Sequence, residues 1–340
     1  MKRLIGALLA LCLMLTGCGA SQPKQTQYTA TFLTLFDTVT TILGRAESQE
    51  AFSATAQEIH DELLEYHQLF DIYNDYEGLV NLKTVNDNAG ISPVVVDSRI
   101  LELLADCKEY DALTHGRVNV AMGSVLSLWH TAREDGVNDP QNAYLPDEEA
   151  LRQAAAHCDL SQVILDWENA TVFFADPDIR LDVGAVAKGW SAQRVAETAP
   201  EGLLISVGGN VCATGPKDSS GTPWVVGVQN PDGGDNYLHT LAITGGSVVT
   251  SGDYQRAYTV DGKLYHHIID PDTLYPGTCW RAVTIVCDDS GLADALSTAL
   301  FLLPREEGQA LLDATGAQAL WVDAQGQLFY SPGFEALIRT

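Results

Sequence analysis

Apolar residues recur along the chain with two different periods, and these periods predict its secondary structure. Between residues 47 and 70 the apolar positions follow helical spacing, as at Ala56, Ile59 and Leu63. Residues 28–44 are rich in threonine and β-branched side chains that alternate with polar ones, which is typical of a strand. The same criteria predict further helices at 100–110, 147–157, 190–198, 293–303 and 306–315, and further strands at 163–167, 171–174, 203–207, 224–229, 241–244 and 282–287.

Turn residues divide these elements into hairpins and loops. Asp261-Gly262 predicts a hairpin between the runs 254–260 and 263–269, and a closing hairpin is predicted at 318–330. Polar or turn-rich composition predicts loops at 71–90 and 131–147. Several short strands joined by tight turns, together with a few separate helices, predict an α+β fold with mixed, largely antiparallel sheets and packed helices.

The first residues have the features of an export signal. A positive head is followed by an apolar run at 4–15, which is too short to span a bilayer. Leu15-Thr16-Gly17-Cys18 is similar to the lipobox of bacterial lipoproteins. We therefore expect residues 1–17 to be a signal peptide, Cys18 to be lipidated, and residues 18–27 to be a polar tether. The alternative is an ordinary secretory signal in which the cysteine has no role.

Charge and length limit the possible functions. Lys and Arg number 19 against 45 Asp and Glu, which gives a formal net charge of −26. A nucleic-acid partner is not expected, because phosphate-backbone binding needs a basic surface. An anionic ligand would need local help from a metal, a lysine or backbone amides. Without residues 1–17, 340 − 17 = 323 residues remain, and we expect 28–340 to form the functional domain.

The cysteines do not predict a structural framework. Beyond Cys18 they are five in number, widely spaced, and never in a Cys-x-x-Cys pattern. This distribution is atypical of a disulfide scaffold and of a structural zinc site. They are Cys107, Cys158, Cys212, Cys279 and Cys287.

The stretch 250–276 is the first candidate for chemistry. It places two adjacent histidines, His266 and His267, and the pair Asp270-Pro271 at the end of the predicted hairpin. Imidazoles and a carboxylate on a loop held by a rigid scaffold are common in active sites. The alternative is a polar hairpin rim without function.

Two glycine-containing segments could bind phosphate. Residues 181–190 read LDVGAVAKGW, a predicted strand-to-helix junction that offers backbone amides and the charge of Lys188. Its spacing matches neither a Walker loop nor Gly-x-Gly-x-x-Gly. Gly208-Gly209-Asn210 follows a predicted strand, and bare backbone there could approach a ligand.

A third candidate lies near the start of the predicted helix 293–303. Asp294 and Thr298 are four residues apart, so they share one helix face. A carboxylate and a hydroxyl supply two hard oxygens, which suit Mg²⁺. The alternative is a first-turn aspartate that interacts with the helix dipole and a threonine that bonds back to the helix.

Taken together, these stretches resemble one family, the FAD:protein FMN transferases, or ApbE family of flavin-trafficking lipoproteins. Eight matching pieces occur in the family's order and cover nearly all of the mature chain. They are Phe36-Asp37-Thr38, the Tyr- and Asn-rich segment 69–86, the loop 116–124, LDVGAVAKGW at 181–190, SVGGN at 206–210, TSGDYQR at 250–256, HHIIDPDT at 266–273 and ADALSTA at 293–299.

The resemblance implies a reaction and a site. The family cleaves FAD at its pyrophosphate with Mg²⁺, transfers FMN to a threonine of an extracytoplasmic acceptor protein and releases AMP; some members only hydrolyse FAD. It implies His267 as the catalytic histidine and Asp294, Thr298 and the Ala185 carbonyl as metal ligands. It implies FAD contacts from Phe36, Tyr73, Ala121, Met122, Gly123, Asp182, Lys188 and Ile268.

The residues themselves leave the base open. Either His267 or Asp294 could remove the proton of the attacking hydroxyl. Phe36 and Tyr73 could pack against the isoalloxazine or adenine ring. A lipid on Cys18 would hold the protein on the outer face of the bacterial membrane.

The chain departs from the family pattern at a few positions. Leu274 stands where glycine is usual, and leucine disfavours positive φ, so we expect a different path for the loop after Thr273. Asn119, Ser124 and Asp37 stand where Asp, Pro and Gly are usual. These departures support one alternative, a lipoprotein that binds flavin without cleaving it. A second alternative is an FAD pyrophosphatase without protein transfer, since some family members only hydrolyse FAD. A solute-binding lipoprotein for an unrelated ligand would not explain the two clusters at 266–271 and 293–298.

Overall fold

The computed structural model describes residues 25–234 and 236–339, so the predicted signal peptide, Cys18 and most of the tether lie outside the described residues. In the described part of the chain, no helix is both long and apolar enough to cross a membrane. The strands are β1 (Thr26–Leu35), β2 (Thr38–Ala46), β3 (Val94–Val95), β4 (Val163–Asp166), β5 (Thr171–Phe174), β6 (Leu203–Val207), β7 (Asn210–Ala213), β8 (Trp224–Gln229), β9 (Tyr237–Ile243), β10 (Gly246–Gly252), β11 (Tyr258–Val260), β12 (Lys263–Tyr265), β13 (Ala282–Cys287), β14 (Gln318–Val322) and β15 (Leu328–Tyr330). The helices are α1 (Gln49–Phe70), α2 (Leu82–Asp87), α3 (Ser98–Leu113), α4 (Gly123–Asn138), α5 (Glu148–Ala155), α6 (Ala187–Thr198), α7 (Ser290–Leu302) and α8 (Arg305–Thr315).

An eight-stranded antiparallel sheet forms the centre of the fold. Its order is β1-β2-β6-β7-β10-β13-β14-β15. Three smaller sheets accompany it: β3-β5-β4, the hairpin β8-β9 and the hairpin β11-β12. With helices packed against the strands, this arrangement confirms the predicted α+β class with largely antiparallel sheets.

Both faces of the central sheet are buried. Ile205 and Val249 face the larger core, which also contains residues of α1, α6 and α7. Their neighbours Leu204 and Val248 face a second core, which is closed by the β8-β9 hairpin. This alternation follows the two-residue period of a strand and fixes the register of the sheet.

A third core supports the side of the molecule around α4. Trp129 of α4 packs with Tyr258 of β11, Leu151 of α5 and Ile269. Because Ile269 comes two residues after His267, this core connects α4 to the loop that carries the adjacent histidines.

Residues 28–44 form two strands rather than the single predicted strand. The chain reverses at Phe36 and Asp37, which both have φ 52°, and β1 pairs antiparallel with β2. Two consecutive residues with positive φ make a tight turn whose twist matches a hairpin. The single-strand prediction is wrong because such a turn is normally marked by asparagine or glycine, whereas here phenylalanine occupies its first position.

The loop predicted at 131–147 is wrong over its first half. Helix α4 continues to Asn138 and buries Val125, Trp129 and Ala132 on one side. These positions have helical spacing, but the charged residues that begin at Arg133 hide it. Within the predicted loop at 71–90, a short helix, α2, begins at the capping residue Asn81.

The hairpin predicted at Asp261-Gly262 is confirmed, but it is short. Strands β11 and β12 contain three residues each. Residues 250–252, which precede this hairpin, belong to β10, and β10 pairs with β13 in the central sheet. Strands β7 and β10 were not predicted from the sequence. His266 and His267 follow β12 in irregular backbone, where side chains can be aimed individually.

The five cysteines of the described chain are free. Cys107 and Cys212 are buried, Cys158 and Cys287 are half-buried, and Cys279 is exposed. The prediction that they form no disulfide framework is confirmed for the residues that the structure describes.

Candidate active site

A cavity of about 480 Å³ opens between α4, the start of α6, β10 and the 265–269 segment. Ala121 and Gly123, which the resemblance implied as FAD contacts, are buried and do not line it. Gly123 instead packs on the backbone at Arg180, where an added Cβ would lie 2.5 Å from a carbonyl oxygen. The other implied residues lie on the cavity wall, namely Phe36, Tyr73, Met122, Asp182, Ala185, Lys188, His267, Ile268, Asp294 and Thr298.

Asp294 lies at the deep polar corner of this cavity, where α6 and α7 pack together. The residue is 4 % exposed. The Gly189 amide donates to Asp294 Oδ2 at 2.9 Å, and Lys188 Nζ lies 3.9 Å from the same oxygen. Burial raises the pKa of Asp294, whereas Lys188 and the Gly189 amide oppose this shift. The buried Asn210 amide nitrogen also opposes it, although its geometry makes no full hydrogen bond with any described residue.

Three oxygens at this corner fit a hard divalent cation. Asp294 and Thr298 lie one turn apart on α7, and both line the cavity. In a regular helix the Gly189 amide would donate to the Ala185 carbonyl, but here it donates to Asp294. The Ala185 carbonyl therefore keeps acceptor capacity on the same cavity wall. Carboxylate, hydroxyl and carbonyl oxygens are the ligands that Mg²⁺ accepts in proteins.

The contact between α6 and α7 at this corner has no room for a side chain at Gly189. A Cβ at this position would lie 2.3 Å from the Ser290 carbonyl oxygen and 2.5 Å from Asp294 Cβ. Glycine-to-alanine changes inside helices usually stabilise, by about 1 kcal/mol. Here we expect Gly189→Ala to lower the free energy of unfolding by about 1–3 kcal/mol, because overpacking outweighs helix propensity.

Urea denaturation of the two proteins measures this difference. The matched control is Gly245→Ala, since nothing lies within 4 Å of a Cβ at that position. An unchanged urea midpoint for Gly189→Ala would show that the two helices do not need glycine at their contact.

The two adjacent histidines have different surroundings. His266 is 8 % exposed, its Nδ1 accepts from the Ile268 amide at 3.2 Å, and its Nε2 donates to the Gly277 carbonyl at 2.9 Å. Both of its nitrogens are therefore occupied. It packs edge-on against Phe301 at 5.3 Å, so His266 is a structural residue that anchors the loop.

His267 presents a nitrogen to the cavity. Its Nδ1 lies 3.1 Å from the Gln255 carbonyl oxygen. Because a carbonyl only accepts, Nδ1 carries the proton and Nε2 keeps its lone pair. Among the described residues, no partner lies within hydrogen-bond distance of Nε2. Burial, reinforced by Arg256 and Lys188, lowers the pKa of His267 to about 3, so the ring is neutral at physiological pH.

The loop after the histidines is braced from both sides. Arg117 forms ion pairs with Asp270 at 2.9 Å and with Asp272 at 2.6 Å. Leu274 adopts φ 62°, and its carbonyl accepts from Trp129 Nε1 at 2.9 Å. Leucine therefore occupies the left-handed conformation that we expected it to avoid, and packing in the third core and this hydrogen bond offset the strain.

Aromatic side chains also line the cavity. Asp71 accepts hydrogen bonds from the Tyr73 amide at 2.6 Å and the Tyr76 hydroxyl at 2.7 Å, which fixes a turn that places Tyr73 on the wall. Tyr73 stacks on His130 with ring centroids 5.3 Å apart. Phe36, in the β1-β2 turn, lines the same cavity. Flat aromatic faces of this kind suit a planar ring system.

Sequence reasoning missed several polar residues of the wall. His130 and Arg133 belong to α4, and Arg133 lies within the stretch 131–147 that the sequence predicts as a loop. Arg256 lies in the family segment TSGDYQR and Asn210 in SVGGN, but the sequence assigned no role to either side chain. A usable signal was available for the arginines, because basic residues are scarce in so acidic a chain and each is a candidate to bind an anion.

Comparison with known proteins shows which family this chain belongs to. The sequence profile of the ApbE family matches residues 26–321. A protein of Treponema pallidum named FAD:protein FMN transferase is 34% identical over 277 residues, which cover 76% of this chain and 75% of that protein. A Klebsiella pneumoniae protein of the same name is 33% identical over 266 residues, covering 74% of this chain and 79% of that one.

Solved structures give the same result for the fold. The crystal structure of the ApbE protein from Thermotoga maritima superposes with a TM-score of 0.81 at 28% identity, covering 93% of this chain and all (100%) of that one. The flavin transferase ApbE from Vibrio cholerae superposes with a TM-score of 0.75 at 22% identity, covering 92% of this chain and 100% of that one. The chain therefore belongs to the ApbE family and is, like its curated relatives, a transferase.

Proposed function

We propose that this protein transfers FMN from FAD to a threonine hydroxyl of an acceptor protein and releases AMP, with Mg²⁺ as the required cation. One observation carries the proposal. A single cavity combines a neutral imidazole with a free Nε2, the oxygen cluster of Asp294, Thr298 and Ala185, and aromatic walls for a flat ring. The name of the Treponema pallidum relative, FAD:protein FMN transferase, supports the transfer of FMN from FAD to a protein.

The residues divide the work of a phosphoryl-type transfer. The acceptor oxygen attacks the phosphorus on the FMN side of the diphosphate, and the bond from that phosphorus to the bridging oxygen breaks. The electron pair of this bond leaves with AMP. His267 Nε2 takes the hydroxyl proton, since His267 lines the cavity, its ring is neutral and Nε2 keeps a lone pair.

The corner around Asp294 provides positive charge for the diphosphate, which the acidic chain as a whole would repel. Lys188 lies beside Asp294 and brings a positive charge to the wall. A Mg²⁺ ion held by Asp294, Thr298 and the Ala185 carbonyl would neutralise the diphosphate and polarise the phosphorus. Tyr73 and Phe36 orient the substrate by packing against its rings.

The location of the enzyme is also part of the proposal. The sequence of residues 1–18 supports export and lipidation at Cys18, which would hold the domain on the outer face of the membrane. The acceptor protein would then be extracytoplasmic as well. Nucleic acid is not proposed as a partner, because the chain has a formal net charge of −26 and phosphate-backbone binding needs a basic surface.

The experiment that tests the function measures AMP release from FAD by the fragment 19–340, in Mg²⁺ or EDTA, with and without a peptide that carries a Ser/Thr-Gly-Ala-Thr sequence. We expect Mg²⁺-dependent AMP together with FMN fixed on the peptide. AMP with only free FMN would indicate a pyrophosphatase. Stoichiometric flavin binding without AMP, with the peptide present, would replace the transferase by a flavin-binding protein.

A further inference from the structure

Two arginines on the cavity wall have no carboxylate partner. Arg133 lies on α4 and Arg256 follows Gln255 in the turn after β10, and both line the cavity. Within residues 25–234 and 236–339, neither guanidinium lies within 4.0 Å of a carboxylate. Six other arginines of this acidic chain do form such ion pairs, namely Arg45, Arg99, Arg117, Arg152, Arg194 and Arg281.

A neutral acceptor holds Arg133 in place. Its Nη2 lies 2.9 Å from His130 Nδ1, and because arginine only donates, Nδ1 must be the acceptor. His130 Nε2 then carries the proton and donates to Glu134 at 3.0 Å. The neutral ring of His130 thus lies between the guanidinium of Arg133 and the carboxylate of Glu134. The positive charge of Arg133 is therefore not neutralised by direct contact with a carboxylate.

The two arginines are also near each other. Burial lowers the pKa of Arg133, and the positive charge of Arg256 lowers it further, with Glu134 and Asp182 opposing. Arg256 has φ 44°, a conformation that non-glycine residues adopt at a cost. A fold that places like charges together on a cavity wall, one of them on strained backbone, has the features of an anion-binding site.

The position of the pair relative to the catalytic groups identifies the anion. His267 lies close enough to both Lys188 and Arg256 for each to lower its pKa. Lys188 marks the Asp294 corner, where the phosphorus under attack would lie. Arg256 follows Gln255, whose carbonyl accepts from His267 Nδ1, so this arginine belongs to the segment that holds the imidazole, whereas Lys188 belongs to the Asp294 corner. A diphosphate that spans the imidazole would bring its second phosphate to the two arginines.

We propose that Arg133 and Arg256 bind the adenosine-side phosphate of FAD, the phosphate that leaves with AMP. This inference rests on the proposed function. As the bridging oxygen takes the electron pair of the broken phosphorus–oxygen bond, negative charge grows on this phosphate. Two guanidinium groups stabilise that charge by hydrogen bonds, and they do so more strongly as it grows, which favours the transition state over bound FAD.

The test compares the binding of AMP with that of adenosine by calorimetry in the fragment 19–340, with Mg²⁺ present. The variants are Arg133→Gln and Arg256→Gln, and the control is Arg152→Gln, an exposed arginine of α5 that pairs with Glu148. We expect each cavity variant to weaken AMP binding about tenfold, which corresponds to about 1.4 kcal/mol. Adenosine binding should not change, and the control should match the wild type for both ligands.

Charge-preserving variants separate recognition from folding. Arg133→Lys and Arg256→Lys keep the positive charge, so we expect them to recover part of the AMP affinity that the glutamine variants lose. If the wild type releases AMP from FAD but the glutamine variants bind AMP as tightly as it does, the inference is wrong and the proposed function stands. If the wild type releases no AMP, the proposed function itself fails, whatever the variants bind.

Discussion

Replacement of Asp294 by asparagine is expected to lower the rate of Mg²⁺-dependent FMN transfer about a thousandfold. The carboxylate is the only charged group among the three oxygens that fit the cation, and asparagine keeps its shape while removing its charge. A cation at a reacting phosphate contributes several kcal/mol to the transition state, and each 1.36 kcal/mol is a factor of ten, so most of the rate depends on holding it. Initial rates of AMP release over a range of Mg²⁺ concentrations measure the loss.

The same variant is expected to remain folded. Burial raises the pKa of Asp294, which means that the native surroundings disfavour its ionised form relative to the unfolded chain. This cost is absent below the ordinary pKa of the carboxyl and grows as the pH rises through the raised value. At pH 7 without Mg²⁺, the asparagine variant should therefore unfold at a temperature no lower than that of the wild type.

A matched control distinguishes the loss of a cation ligand from the loss of any one negative charge on the protein. Asp313→Asn changes an aspartate on α8 whose carboxylate accepts from Gln309 at the exposed surface and does not line the cavity. It should keep the wild-type rate. Full activity of Asp294→Asn with Mg²⁺ present would remove the metal corner from the mechanism and with it the main support for the transferase.

The sequence predicts this candidate corner because two of its three oxygens are encoded locally on α7. Asp294 and Thr298 are four residues apart on one helix, so helical geometry alone brings them together. The third oxygen is different, since Ala185 becomes available only because the Gly189 amide donates to Asp294 across the helix contact. Only the family resemblance pointed to Ala185, because no local pattern in the chain predicts a tertiary hydrogen bond.

Local patterns failed where tertiary packing decides the conformation. The turn at Phe36 and Asp37 has no glycine, and Leu274 takes a left-handed conformation that its side chain disfavours. In both places neighbouring strands or a packed core hold the backbone where intrinsic preference would not. The arginine at 133 was missed for a related reason: it lies on a helix whose polar end resembles a loop in sequence.

The choice between the two candidate bases can now be tested. His267→Gln is expected to slow FMN transfer by about 10²–10⁴-fold, the usual contribution of a positioned general base. Glutamine can still donate to the Gln255 carbonyl, so the loop should keep its shape and FAD binding should change little. His266→Gln is the matched comparison. We expect it to lower the free energy of unfolding while changing the rate of FMN transfer less than His267→Gln does, because both nitrogens of His266 form hydrogen bonds within the loop.

The pH dependence provides a second readout for His267. Burial is the main cause that lowers the pKa of His267 to about 3. Between pH 6.5 and 3, therefore, the unfolded chain binds a proton at this histidine that the native protein does not, and the native state loses stability as the pH falls. The neutral, proton-accepting form thus persists well below neutrality, and kcat/KM should show no acid limb with a midpoint near 6.5. A wild-type rate in His267→Gln would instead assign the proton to the Asp294 carboxylate, the other of the two candidate bases, whose buried oxygens would then have to serve both the cation and the proton.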